Sequence, residues 1–413
     1  MNKIGTDNIT GAPFRIDPTR HIAVIGGSGV GKSSLLERIF ISFISQKGYG
    51  GAFFDPHGDS ARKLPLMVPK HLRDNIIYCD PDEDACPQFN PLYFIDPELL
   101  EQAIESVATL LKTLSGSDSA WGNLTPYNVR NGLDVLTEFE KLATLVHLMR
   151  FLAAEKYRKQ LLRKTVNPFV KLYAGLDLEQ DAFTAAINKV AKLMRPNILS
   201  VIGWPESLDL LECMNSGKIF IFRLSKGALG EETAQILYSL IISMFSIAAL
   251  KRESQAVRPP FLIVADEAQN ATAGGRMGVL LAEARKYGIS LCIAQQGLYQ
   301  TPLRDDILTN AATQIVFNCS GDDAKTMADN WKDENTHDFD LTNQSRYEFR
   351  VRSFNRSNQP VVRQVNALPA TTLRFKSDEE REAKLEGIIY QSKMRYAVSR
   401  KRIQAKVKNI LAS

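Results

Sequence analysis

Short unbroken apolar runs alternate along this chain with stretches whose apolar residues recur at helical spacing, a rhythm that predicts an α/β protein. The first run is His21-Ile22-Ala23-Val24-Ile25, followed by the helical pattern Ser34-Leu35-Leu36-Glu37-Arg38-Ile39-Phe40. Further buried strands are expected at Gly50–Phe54, Asn75–Cys79, Lys218–Phe222, Phe261–Ala265, Ile289–Ala294 and Gln314–Cys319. Helices are expected over roughly Glu231–Glu253, Met277–Tyr287 and Ile307–Ala312, and another opening at Gly321-Asp322-Asp323. Tyr347–Phe354 and Pro360–Asn366, joined by a polar Asn/Ser turn, read as a hairpin, and Phe14-Arg15-Ile16 as an edge strand in the lead-in.

Between residues 96 and 204 the β signals vanish. Leu99, Ala103, Ile104, Val107, Leu110 and Leu111, then Val129, Leu133, Leu136 and Phe139, keep helical spacing, which predicts an all-α insertion. The core is thus expected to be discontinuous, over 1–95 and 205–375. Inside the insertion, Ser115–Tyr127 is a polar loop carrying Trp121, a residue that more readily pins the loop to its own domain than touches a partner. The tail, 376–413, reads as helical. Its acidic residues stop at Glu386, and Lys393, Arg395, Arg400, Lys401, Arg402, Lys406 and Lys408 follow. Such a run is usually a solvated helix face or a frayed end, with contact to a nucleic acid or acidic partner as the sharper alternative.

Composition changes this picture little. The 413 residues are 44% hydrophobic and 23% charged, as in soluble globular chains. A net charge of +5 means that any polyanion partner has to be argued from local charge. The longest apolar stretch, Ile236–Leu250, is interrupted by Ser239, Ser243 and Ser246, and Met1–Arg20 lacks a signal-peptide layout, so no membrane span is expected. Five cysteines without a C-x-x-C pair indicate neither a disulfide framework nor a zinc site. Reduced thiols and a cytoplasmic location are the expectation.

The chemistry begins at Gly26-Gly27-Ser28-Gly29-Val30-Gly31-Lys32-Ser33, a G-x-x-x-x-G-K-S loop between a strand and a helix. Glycines let backbone N–H groups turn in on a β-phosphate, and the helix N-terminus adds its positive dipole end. Lys32 is expected to reach the β/γ-phosphates of ATP and Ser33 to ligate Mg²⁺, with Ser34 completing the nucleotide-binding stretch. Downstream, Phe261-Leu262-Ile263-Val264-Ala265 runs into Asp266-Glu267, a Walker B pattern: Asp266 for Mg²⁺, Glu267 to orient and deprotonate the attacking water. Gln296, at the tip of the next strand, is placed to sense the γ-phosphate. Asp55, read as lying on a strand beside the P-loop strand, is either a ligand-facing carboxylate or a cap or turn residue.

Taken together, "IGGSGVGKSSLLE", "FFDPHGD", "NIIYCDPDEDACPQFNPL", "IFRLSKGALGEETAQILYSLI", "FLIVADEAQN" and "AEARKYGISLCIAQQGLYQ" resemble the HerA/FtsK superfamily. The resemblance runs over roughly His21–Pro369 and is closest to the soluble ATPase domain of type IV secretion coupling proteins of the TraD/TraG kind. It implies a RecA-like P-loop core with a mostly parallel sheet, ATP and Mg²⁺ as cofactors, and a homo-oligomeric ring, usually a hexamer, that drives DNA through a central channel. It also implies that Arg285 is an arginine finger for the neighbouring subunit's ATP. From its position alone, Arg285 is equally a charge complementing a helix C-terminus or a partner of Glu283 or Asp305. Arg223-Leu224-Ser225-Lys226-Gly227 and Ser115–Arg130 are candidate channel loops. Motion of protein or viral DNA, or ATP-gated assembly without translocation, remain as alternatives. The membrane helices of many coupling proteins and the small β-barrel of HerA proteins are not evident here, so any docking at a membrane is expected to run through a relaxosome, secretion-channel or other protein partner.

Overall fold

The computed structural model describes residues 3–93, 97–114, 124–140, 142–176, 178–271, 275–299, 301–355 and 357–412. Its strands, in chain order, are β1 (Gly5–Asp7), β2 (Pro13–Phe14), β3 (Ile22–Ile25), β4 (Gly50–Asp55), β5 (Ile76–Cys79), β6 (Ala85–Pro87), β7 (Ile219–Arg223), β8 (Phe261–Ala265), β9 (Ile289–Gln295), β10 (Thr313–Val316), β11 (Glu348–Phe354), β12 (Pro360–Ala367) and β13 (Ala397–Ser399). Eleven of them form one sheet in the order β2-β1-β12-β11-β10-β3-β9-β8-β4-β7-β5. From β10 to β5 every pairing is parallel. Strands covered by helices on both faces bury every side chain, and β3, β4, β8 and β9 are buried throughout. The remaining strands extend the sheet antiparallel, and in β11 only Phe349 and Val351 are buried.

This order corrects one expectation. β4 does not lie beside the P-loop strand: β9 and β8 separate them, and Asp55 emerges next to the Walker B strand. Sequence neighbours need not pair when each strand is followed by a crossover helix.

Between β6 and β7 the described residues hold helices and no strand, among them Pro97–Thr113, Thr125–Phe139, Leu145–Ala153, Glu155–Lys164 and Pro196–Ile202. Their apolar residues join one face of the sheet in a single continuous core through Phe89, Phe220, Phe222 and the helix Glu231–Leu250. That helix is long and apolar enough to cross a bilayer, yet nearly all of it is buried inside the protein. Within it, Ser239 Oγ donates to Asn270 O. The opposite face packs the P-loop helix, Lys32–Ile44, through Leu36, Phe40 and Phe43. Residues 115–123, with Trp121, lie outside the described residues.

The tail is helical, as expected, but not frayed. The helix Asp378–Tyr396 buries Leu385, Ile389 and Ser392, and Ser392 Oγ accepts from Tyr78 N of β5 at 2.8 Å. β13 then pairs with β6, and the helix Arg400–Ala412 buries Ile403 and Ile410. Ile403, Val407, Ile410 and Leu411 keep helical spacing, but only the two isoleucines are buried, and the cations between them mask the stripe. All five cysteines are free and buried, with the Cys79 and Cys86 sulfurs 3.3 Å apart.

Candidate nucleotide site

Parallel strands bring their carboxyl ends to one edge of the sheet, and everything that follows sits on that edge. After β3 the chain turns through Gly26, whose φ of 156° and close approach to Phe317 leave no room for a side chain: a Cβ would lie 2.7 Å from that residue's Cβ. At Gly31 (φ 118°), which caps the P-loop helix, a Cβ would meet the Tyr347 ring at 2.6 Å. Lys32 Nζ donates to the carbonyls of Gly26 and Gly27 at 2.7 and 2.5 Å. Burial draws its pKa below the ordinary value, against the upward pull of Asp266 and Glu267.

Asp266 follows β8 and is buried; it accepts from Glu267 N at 3.0 Å and from Ser33 Oγ at 3.4 Å. Burial, and then the charge of Asp55, push its carboxyl up to about 6. Asp55 itself accepts from the N–H groups of His57 and Ala61, so it shapes the turn after β4, as a cap does, while adding negative charge beside Asp266. A hydroxyl and a carboxylate oxygen side by side, with an anionic neighbour whose repulsion a dication would relieve, fit Mg²⁺.

Glu267 is the best-connected residue of the site. One carboxylate oxygen contacts His57 Nε2 at 3.1 Å and accepts from Gln296 Nε2 at 2.8 Å. The other accepts from Lys226 Nζ at 2.8 Å and Asn270 Nδ2 at 3.2 Å. Its backbone is left-handed, with φ 47°, unusual for a non-glycine residue. Burial alone would raise its pKa; the hydrogen bonds of Lys226 and Asn270 and the charges of Lys226 and His57 outweigh that and hold the carboxyl below its ordinary value. Four separate strand tips, those of β4, β7, β8 and β9, thus converge on one ionised group.

Of the two glutamines ending β9, Gln295 turns inward to Thr301 Oγ1, which leaves Gln296 to face the site. His57, Lys226, Asn270, Arg346 and Tyr347 were not among the residues expected here; His57, Arg346 and Tyr347 line the cavity of about 320 Å³ formed with the P-loop, and Lys226 and Asn270 reach it through Glu267. His57 sits within the Asp-Pro-His-Gly-Asp string and Asn270 three residues after Glu267, so a signal existed for both; Tyr347, at φ 66° before β11, left none. The loop after β7 was expected to face a channel. Instead Lys226 pairs with Glu267 and Arg223 with Asp80 at 2.7 Å.

Arg285 lies at the other edge of the sheet, in the turn before β9. Roughly 20 Å of strand separates it from Gln296. Burial and the Arg285 charge hold the His21 imidazole, just before β3, at about 4. Glu283 is engaged by Lys286 at 2.8 Å, and Arg285 has no carboxylate partner among the described residues.

A phosphate-binding loop after one parallel strand, with acidic and amide side chains at the tips of its neighbours, defines a RecA-like P-loop nucleotide-binding protein. The chain belongs to the family described as DUF87, Helicase HerA, central domain, whose model matches residues 3–245. No curated protein sequence matches it significantly. Among solved structures it is similar to the bacterial conjugative coupling protein TrwBdeltaN70 in its unbound monoclinic form (16% identity, TM-score 0.67, covering 90% of this chain and 91% of that one). It is also similar to the plasmid coupling protein TrwB in complex with ADP and Mg²⁺ (16%, 0.66, 91% and 91%). VirB4 of Thermoanaerobacter pseudethanolicus shares the fold too (13%, 0.63, 89% and 96%). At these identities the likeness is one of fold.

Proposed function

We propose that this protein is a cytoplasmic ATP-driven motor that assembles as a ring, most simply a hexamer, and moves DNA in conjugative or mobile-element transfer. The observation that carries the reading is the ionised, fourfold-held Glu267 beside Lys32 and Asp266. Glu267 takes the proton of the attacking water, and Gln296, bonded to the same carboxylate, orients that water. Lys32 leaves the Gly26 and Gly27 carbonyls to neutralise the β/γ-phosphates. Ser33 and Asp266 would hold Mg²⁺, which when bound would draw negative charge off the phosphate oxygens.

Arg285 completes the site of the adjacent copy. It lies too far from its own chain's P-loop edge to serve there, and it has no carboxylate partner to hold it back. A trans arginine makes fast turnover depend on assembly. Relatives solved as coupling proteins support DNA as the polymer.

The test is ATP hydrolysis by the purified chain with and without DNA, alongside native mass spectrometry with ATP. Turnover raised by DNA, in an assembled ring and absent from Glu267→Gln, is expected. Turnover indifferent to DNA would remove translocation of DNA from the reading, and a monomer at full activity would remove the ring.

A further inference from the structure

We infer that the outward face of the Arg400–Ala412 helix is a sequence-independent contact for the phosphate backbone of a nucleic acid, an inference that rests on the reading of DNA as the polymer. The cations of the tail fall into two groups. Lys393 pairs with Glu83 and Asp84 at 2.7 and 3.1 Å, Arg395 with Asp74 at 2.9 Å, and Arg400 donates to the carbonyls of Pro81 and Glu83. These three anchor the tail. Lys401, Arg402 and Lys408 are exposed and have no carboxylate partner among the described residues, whereas Lys406 lies on the side of Ile403 and Ile410, where its charge bears on His147. No acidic residue follows Glu386 in the sequence to supply one.

The helix is held in one orientation by Ile403 and Ile410, which face inward. Lys401 and Lys408, seven residues apart, therefore project together on the opposite side. At 1.5 Å per residue they are about 10 Å apart, close to three nucleotide steps of one strand. Arg402 lies over the Trp204 ring at 5.1 Å, which fixes its guanidinium at the edge of the same face.

A membrane surface is the poorer fit. Interfacial helices set Trp, Phe or Leu against their basic face, whereas here Ile403 and Ile410 are consumed in packing and Leu411 is the one large apolar side chain of the helix left exposed. The outward positions between the cations are Gln404, Ala405 and Asn409.

The test is fluorescence anisotropy of the full chain with labelled single- and double-stranded oligonucleotides over a salt series. Replacing Lys401, Arg402 and Lys408 together with Ala is expected to lower the slope of log affinity against log salt by about 2.1 to 2.7, at roughly 0.7–0.9 per phosphate contact. Between 50 and 200 mM salt the wild type then loses about 20- to 40-fold more affinity than the variant. Removing three exposed cations elsewhere (Lys47, Lys70 and Lys325) should leave the slope unchanged, and Lys→Arg at 401 and 408 should preserve it. Thermal stability and binding of an ATP analogue report folding. A variant that binds DNA like the wild type overturns this inference and leaves the motor reading standing. A wild-type chain that ignores DNA but adsorbs to anionic vesicles through these residues overturns both.

Discussion

Replacing Lys226 with Met, a chain of similar length without charge, interrogates the base directly. The ion pair is 2.8 Å long, with side-chain exposures of 28% for Lys226 and 7% for Glu267, so solvent screens it only partly. Breaking a buried pair from one side costs about 3–5 kcal/mol. Here His57, Asn270 and Gln296 still hold the carboxylate, so a loss of roughly 2–3 kcal/mol at neutral pH is expected. The sign with pH follows from the direction of the shift. Glu267 is depressed in the folded state, so its contribution is present above the unfolded value, 4.5 for a free glutamate, and is lost as pH falls through the folded one. The stability gap between wild type and Lys226→Met should therefore close below about pH 4.5, as followed by urea denaturation. Catalysis gives an independent reading. Without Lys226 the carboxyl protonates more readily, so the acid limb of the kcat/KM profile for ATP moves to higher pH while the alkaline plateau persists. An acid limb that stays in place, together with unchanged stability, would refute the assignment of Lys226 as the group that sets the charge of Glu267.

Lys32→Ala should abolish nucleotide binding, measured by titration calorimetry with a non-hydrolysable ATP analogue. Glu267→Gln should bind ATP and keep the ring, while turnover drops by at least about 10²-fold, the usual worth of a general base; wild-type turnover would exclude it from that role. Arg285→Ala should bind ATP normally and lose about 10³-fold or more in turnover, since a trans arginine is worth that much. Mixing it with a Lys32→Ala chain, which retains Arg285 but cannot use ATP, should restore part of the rate, and full activity of Arg285→Ala alone would end the finger assignment.

The sheet was legible because its central strands are solid apolar blocks, and the P-loop and Walker B residues because their spacing fixes both chemistry and place. Strand order was not. Nothing in Gly50–Asp55 tells that β9 and β8 come between it and β3, so Asp55 was set beside the wrong strand. Lys226 was misread for a related reason. A lysine in a polar loop looks like a solvent-facing cation until the crossover from β7 carries it back to the Walker B carboxylate. The tail erred in the opposite direction, since its charges hid the two isoleucines that dock its last helix.

A sheet this long ends somewhere, and at β5 the last row of backbone groups would be free to recruit a strand from another molecule. The helix Asp378–Tyr396 lies against that margin, with Ser392 taking up the Tyr78 amide. The C-terminal residues thus act as a guard rail: they keep copies of the chain from zipping together side by side into fibres, and leave ordered association to other faces. A chain cut at Ser377 should for that reason be prone to clump.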